Sequence, residues 1–174
     1  MGALSAGGRC GRTHVLKHVV AVTAVALAMA SCTDRSYQTA AMQASEGGDQ
    51  KTAINLAKKE VARFSDQCSL TTSLNCGTLA LAYGTLAGYQ ILNGDKAAGE
   101  RSFSSAKGAI SWMDRENRPS ATAMVYRDVS EAFWKVGERA RAVAVFNEGR
   151  AAGGDSWLFM SSAARADQLP KGLR

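Results

Sequence analysis

Residues 94–106 read GDKAAGERSFSSA and residues 137–149 read GERARAVAVFNEG. The two stretches share one register. Each opens on a glycine followed at once by an acid, Asp95 or Glu138, and reaches a small residue, Gly99 or Ala142, five positions after the glycine. An aromatic ring, Phe103 or Phe146, stands at nine and a second small residue, Ala106 or Gly149, at twelve. Small residues there let two helix backbones approach, and the ring fills the gap beside them. Residues 48–60, GDQKTAINLAKKE, repeat the opening with Gly48-Asp49 and Ala53, but Ala57 stands in place of the ring and Glu60 in place of the last small residue.

Hydrophobic spacing extends the pattern outward. Ile54, Ala57, Val61 and Phe64 lie on one face of a helix whose other face carries Lys51, Asn55, Lys58, Lys59 and Arg63. Leu79, Ala82, Leu86 and Tyr89 mark a second helix, ending at Asn93-Gly94. Gly99, Phe103, Ala106, Ile110 and Met113 mark a third, and Tyr126, Val129, Phe133 and Val136 a fourth. Ala142, Phe146 and Gly149 belong to a fifth, terminated by Gly153-Gly154. Between the third and fourth helices the polar run 114–120 (DRENRPS) breaks the pattern. Pro119 forbids continuation there, and Ser120 is expected as the next N-cap. Residues 155–168 are expected as a last helix with Trp157, Met160 and Ala164 on one side and Ser161, Ser162, Arg165 and Asp167 suited to a solubilising cap. No stretch alternates convincingly at period two. The expected class is therefore all-α, with helical hairpins over about 35–64, 77–113 and 120–152 and a C-terminal capping helix over 155–168.

The register resembles the tetratricopeptide repeat, in which a turn glycine, a small residue, an aromatic and an alanine recur at those offsets. The resemblance covers roughly residues 35–152, although the glycines recur after 46 and then 43 residues rather than about 34. It implies stacked hairpins whose first helices line a concave surface that receives a peptide or partner segment. On that alignment the third hairpin presents Met124, Arg127, Glu131, Trp134 and Lys135, and the second presents Leu81, Gly84, Gly88, Ile91 and Leu92. Trp134 follows Phe133 of the packed stripe and so points about 100° away from it. It is either a partner anchor flanked by Arg127 and Lys135 or a ring packed on the neighbouring hairpin or final helix. Gly84 and Gly88, four apart, make a smooth strip for close helix packing.

The amino-terminal stretch carries an address. Residues 9–18 are basic, and Val19 to Ala30 is an apolar run broken by one threonine. A twelve-residue helix rises about 18 Å, short of the roughly 30 Å hydrocarbon core, which suits a secretory signal. The run ends Met29-Ala30-Ser31-Cys32, which resembles the lipobox of bacterial lipoproteins, with Met29 where Leu, Val or Ile is usual. The resemblance implies cleavage after Ser31, acylation of Cys32, and stable anchoring by more than one acyl chain. Thr33, in place of an aspartate, favours the periplasmic face of the outer membrane, with the inner membrane or a soluble periplasmic form as alternatives. The helical pattern begins within a few residues of Cys32, so the tether is short. In an exported chain Cys68 and Cys76 are expected to pair as a disulfide, with two free thiols as the alternative.

Composition removes several function classes. The 174-residue chain carries a formal charge of +6, and removal of residues 1–31 with Arg9, Arg12 and Lys17 leaves +3. That is too small for a strongly basic nucleic-acid binder. Both histidines, His14 and His18, fall in the same segment, so the mature chain has no histidine base or ligand. There is no G-x-S-x-G elbow or Walker loop, and the acids alternate with lysine and arginine. No cofactor, metal or catalytic residue is expected. The expected function is a lipid-anchored interaction or assembly scaffold for an envelope protein or peptide segment. The rivals are a small-ligand-binding helical protein and a cell-wall hydrolase.

Overall fold

The structure, a computed structural model, describes residues 36–69 and 73–167; the expected signal segment, residues 1–31, and the expected lipidation site Cys32 lie outside them. The described elements are α1 (Tyr37–Glu46), α2 (Gln50–Ser65), α3 (Ser73–Leu92), α4 (Lys96–Ser111), α5 (Arg118–Lys135), α6 (Arg139–Ala151), a 3-10 helix (Ser156–Met160) and α7 (Ser162–Asp167). The described chain is all-helical, with no strand.

The glycine–acid pairs do two jobs within one turn. Gly48, Gly94 and Gly137 adopt φ of +84°, +87° and +84°, the left-handed conformation that ends a helix and that a Cβ disfavours. The acid then starts the next helix. Asp49 accepts from the Thr52 N–H at 3.0 Å and Asp95 from the Ala98 N–H at 2.9 Å. Glu138 occupies the same position without a side-chain capping bond. Three helix pairs result: α1–α2, α3–α4 and α5–α6.

The quoted register forms the main core. Phe103 and Phe146 are buried. A Cβ on Gly99 would come 2.5 Å from Ile91 Cγ1, and one on Gly149 would come 2.7 Å from Tyr126 Cβ. Both positions therefore require glycine, because the paired helix occupies the space. Phe103 meets Tyr126 edge-to-face, with centroids 4.9 Å apart, tying the second pair to the third. The strip on α3 packs closely against α5: a Cβ on Gly84 would lie 3.1 Å from Val125 Cγ2, and one on Gly88 3.8 Å from Ala132 Cβ. The second helices, α4 and α6, are joined instead by long side chains. Arg141 donates to both oxygens of Glu100 (2.7 and 3.0 Å) and to Glu148 (2.8 Å), and Lys96 pairs with Glu138. Hydrogen bonds to Glu100 chiefly hold the Arg141 guanidinium in its charged form.

Some local expectations are corrected. The apolar face of α2 is rotated: Ala53, Ala57 and Glu60 are buried, whereas Ile54, Val61 and Phe64 are half-buried. This helix serves α1 on one side and α3 on the other, so a single stripe does not describe it. Glu60 replaces a small residue because its carboxylate closes the first pair. It accepts from Ser36 Oγ at 3.1 Å and from the Tyr37 N–H at 3.2 Å, satisfying the exposed start of α1. Helix α5 begins at Arg118 rather than after Ser120, with Pro119 in its first turn, where the missing N–H costs nothing. Ser120 Oγ instead donates to Asp155 Oδ2 at 2.6 Å. The expected last helix is two pieces divided at Ser161, whose backbone is extended. That break changes the buried face to Leu158, Ala163 and Ala164, leaving Trp157 and Met160 exposed. Cys68 and Cys76 form a disulfide across the α2–α3 connection. For eight residues of separation the chain-entropy contribution is about 2.5 kcal/mol.

Candidate functional groove

The first helix of each pair contributes one wall or floor of a common groove of about 410 Å³. α1 supplies Gln38, Met42, Ser45 and Glu46; α3 supplies Thr85, Gly88, Tyr89 and Leu92. α5 supplies Met124, Arg127, Asp128, Glu131, Ala132 and Lys135. Two physical facts open it. Small residues bring α3 and α5 together as a floor, and α1 leans on α2 far more than on α3. The apolar surface is soft: Met42 is half exposed, Met124 is partly exposed, and Leu92 lies beside them. Methionine adapts its shape to irregular apolar partners.

Charge is arranged around that surface. Arg127 donates to Asp128 Oδ1 from Nε at 2.9 Å and from Nη2 at 2.8 Å. Protein packed around the Asp128 carboxyl removes part of its water and pushes it up from the ordinary aspartate range, while Arg127 pulls it down and Glu131 adds to the rise. Burial likewise pushes the Tyr89 hydroxyl up, helped by Asp128 and Glu46, whose charges disfavour the phenolate. Tyr89 is therefore a neutral phenol between acids, able to donate or accept a hydrogen bond. Lys135 stands exposed at the end of α5.

The sequence-predicted site residues divide. Met124, Arg127, Glu131 and Lys135 line the groove, as do Gly88 and Leu92. Glu131, however, is already engaged: it accepts from the Ser162 N–H at 2.9 Å and from Ser162 Oγ at 3.1 Å, holding the start of α7. Trp134 is not among the residues lining the groove: it is half-buried against the main core, with the guanidinium of Arg139, on the paired helix α6, 3.9 Å from its ring centre. Ile91 is fully buried against the α3–α4 contact at Gly99 and offers a partner no surface, and Leu81 packs half-buried on the main core. These two are corrected because the α3 surface facing the groove is the 85–88–89–92 row. Asp128, Tyr89 and the α1 residues were missed. Tyr89 read as core and is core by area, yet its hydroxyl faces charge. Nothing in α1 matched the ring-bearing register.

No family model, curated protein or solved structure matches this chain. Among the described residues no three histidine, cysteine, aspartate or glutamate side chains gather as a metal site requires, and no helix is long and apolar enough to cross a membrane. The groove combines an adaptable apolar surface, one buried phenol, and the ionisable side chains of Glu46, Arg127, Asp128, Glu131 and Lys135.

Proposed function

We propose that this chain is a membrane-anchored envelope lipoprotein that holds a peptide segment of a partner protein in the α1–α3–α5 groove. In this reading the three helix pairs stack in the tetratricopeptide manner, and the 3-10 helix with α7 caps the last pair. The observation that carries it is that the first helix of every pair, and neither α2, α4 nor α6, lines the groove. Such a surface accepts an extended or helical segment along the row of first helices, with apolar side chains on Met42, Leu92 and Met124. Arg127 is a natural contact for a carboxylate and Asp128 for a donor on the segment. The chain acts by holding its partner and performs no catalysis of its own; Cys32 is the acylated residue, and the outer membrane the destination.

The test places a photo-crosslinking residue at Met124 or, as a control, at the exposed Ala144 on α6, in cells that make the full chain. Crosslinks from Met124 that map to one segment of one envelope protein, with none from Ala144, are expected. Equal crosslinking from both positions would remove the groove from the reading. In parallel, Cys32→Ala is expected to move the protein from the membrane fraction to the soluble fraction; persistence with membranes would refute the anchor.

A further inference from the structure

We propose that the end of the helix pairs opposite the glycine turns lies against the lipid surface, with Leu74, Trp112 and Trp157 in its interfacial layer. The inference rests on the acylated Cys32 proposed above.

Hydrogen bonds identify this end. The Asp114 N–H, after α4, donates to Ser73 Oγ at the start of α3 (2.8 Å). The Asp155 N–H, after α6, donates to the Pro119 carbonyl at the start of α5 (3.3 Å). The Tyr37 N–H donates to Glu60, near the end of α2, and the Lys59 ammonium stands 5.7 Å from the Tyr37 ring centre. The starts of α1, α3 and α5 and the ends of α2, α4 and α6 therefore share one end. Leu74 is 74% exposed there, and Trp112 and Trp157 are each 50% exposed. Among the described residues, Tyr37 shares this end with them, Met42, Phe159 and Met160 are exposed elsewhere, and no large exposed apolar side chain adjoins Gly48, Gly94 or Gly137. The asymmetry has no explanation within the fold, since these side chains leave much of their surface to water.

Chain length names the occupant. Cys32 precedes Tyr37 by five residues, which extend to at most roughly 17 Å. An acyl group on Cys32 thus confines the Tyr37 end, and not the glycine-turn end, to the neighbourhood of the bilayer. Tryptophan combines an apolar ring with an N–H donor and is favoured at the headgroup level. Charge at this end is mixed: Lys59, Arg63, Arg115 and Arg118 are interspersed with Glu60, Asp66, Asp114, Glu116 and Asp155. Attachment by rings rather than by basic residues makes the docking insensitive to salt. It also leaves the groove clear of the bilayer, since its α3 and α5 residues, Thr85 to Leu92 and Met124 to Lys135, lie toward the Gly94 and Gly137 end.

The experiment uses the processed, acylated full protein in vesicles of phosphatidylethanolamine with a minor share of phosphatidylglycerol, with bromine on the acyl chains. Three tryptophans are present, so Trp134→Phe reports on Trp112 and Trp157, and the double variant Trp112→Phe/Trp157→Phe reports on Trp134 alone. Helical circular dichroism checks that both variants are folded. Quenching of Trp112 and Trp157 by at least roughly two-fold, unchanged from low to high salt, with Trp134 unaffected, is expected. Vesicle-bound protein whose Trp112 and Trp157 are quenched no more than Trp134 would overturn the docking while leaving the anchor in place. Quenching that disappears at high salt would overturn attachment by rings. Absence of an acyl group on Cys32 by mass spectrometry would overturn the anchor and this placement together.

Discussion

In α1 and α2 the fully buried residues are Ala41, Ala53, Ala57 and Glu60, with Ile54, Leu56 and Val61 half-buried beside them. In the two later pairs Phe103 and Phe146 are buried, and Gly99 and Gly149 admit the neighbouring side chains Ile91 and Tyr126. All three pairs share the glycine–acid turn, so the turn specifies the hairpin without specifying how firmly it closes. A buried phenylalanine contributes about 2–3 kcal/mol of transfer free energy, whereas an alanine methyl contributes well under half of that. In the first pair, two hydrogen bonds to Glu60 replace the ring. α1 is one wall of the groove, and with small buried residues and no buried ring of its own pair behind it, it is expected to open at lower free energy than the α3–α5 floor.

That contrast is most severely tested at Phe103. Phe103→Ala is expected to destabilise the whole domain by about 3–5 kcal/mol in urea unfolding. A loss under about 1 kcal/mol would mean that the later pairs are not held by their rings. Glu60→Ala comes next. It should cost about 1–3 kcal/mol, by leaving the Ser36 and Tyr37 donors without their acceptor. Hydrogen exchange should show the loss confined to α1 amides, with α5 and α6 protected as before; equal acceleration everywhere would erase the distinction between the pairs.

The smallest effect concerns the groove floor itself. The Asp128 carboxyl is raised above its ordinary 3.8, so the folded state binds this proton more tightly than the unfolded chain does. Its stabilising contribution is present below pH 3.8 and is lost as pH rises through the folded value. Asp128→Asn removes that loss. Relative to the parent, the variant should gain stability progressively above about pH 4, by no more than about 1 kcal/mol, because the side chain retains part of its water. Thermal melts of both proteins from pH 3 to pH 8 check this, and a difference with no pH slope would show that the carboxyl is as well solvated folded as unfolded.

Residues that act within one turn of their own helix were legible without a structure. Gly94-Asp95 must end one helix and begin another because glycine alone tolerates that φ and aspartate caps from that position. Phe103 and Phe146 had to be buried because the 3.6-residue period sets them beside small residues. Those local constraints also delivered the all-helical class and the approximate spans. The groove residues on α5 were reached only through the resemblance to a known repeat. Residues whose role depends on which helix arrives alongside were not legible. Trp134 stands off the packed stripe and Ile91 was expected on the concave surface, yet one carries Arg139 over its ring and the other is covered by α4. Glu60 looked like a defect in the register until α1 brought Ser36 and Tyr37 to it, and Glu131 looked free until α7 folded back onto α5. The sequence by itself therefore determined the turns, the helices and the rings between them, since backbone sterics and side-chain periodicity are local. Only the tertiary structure decided which polar side chains are engaged within the fold, because a carboxylate's occupancy is set by donors that lie far from it along the chain.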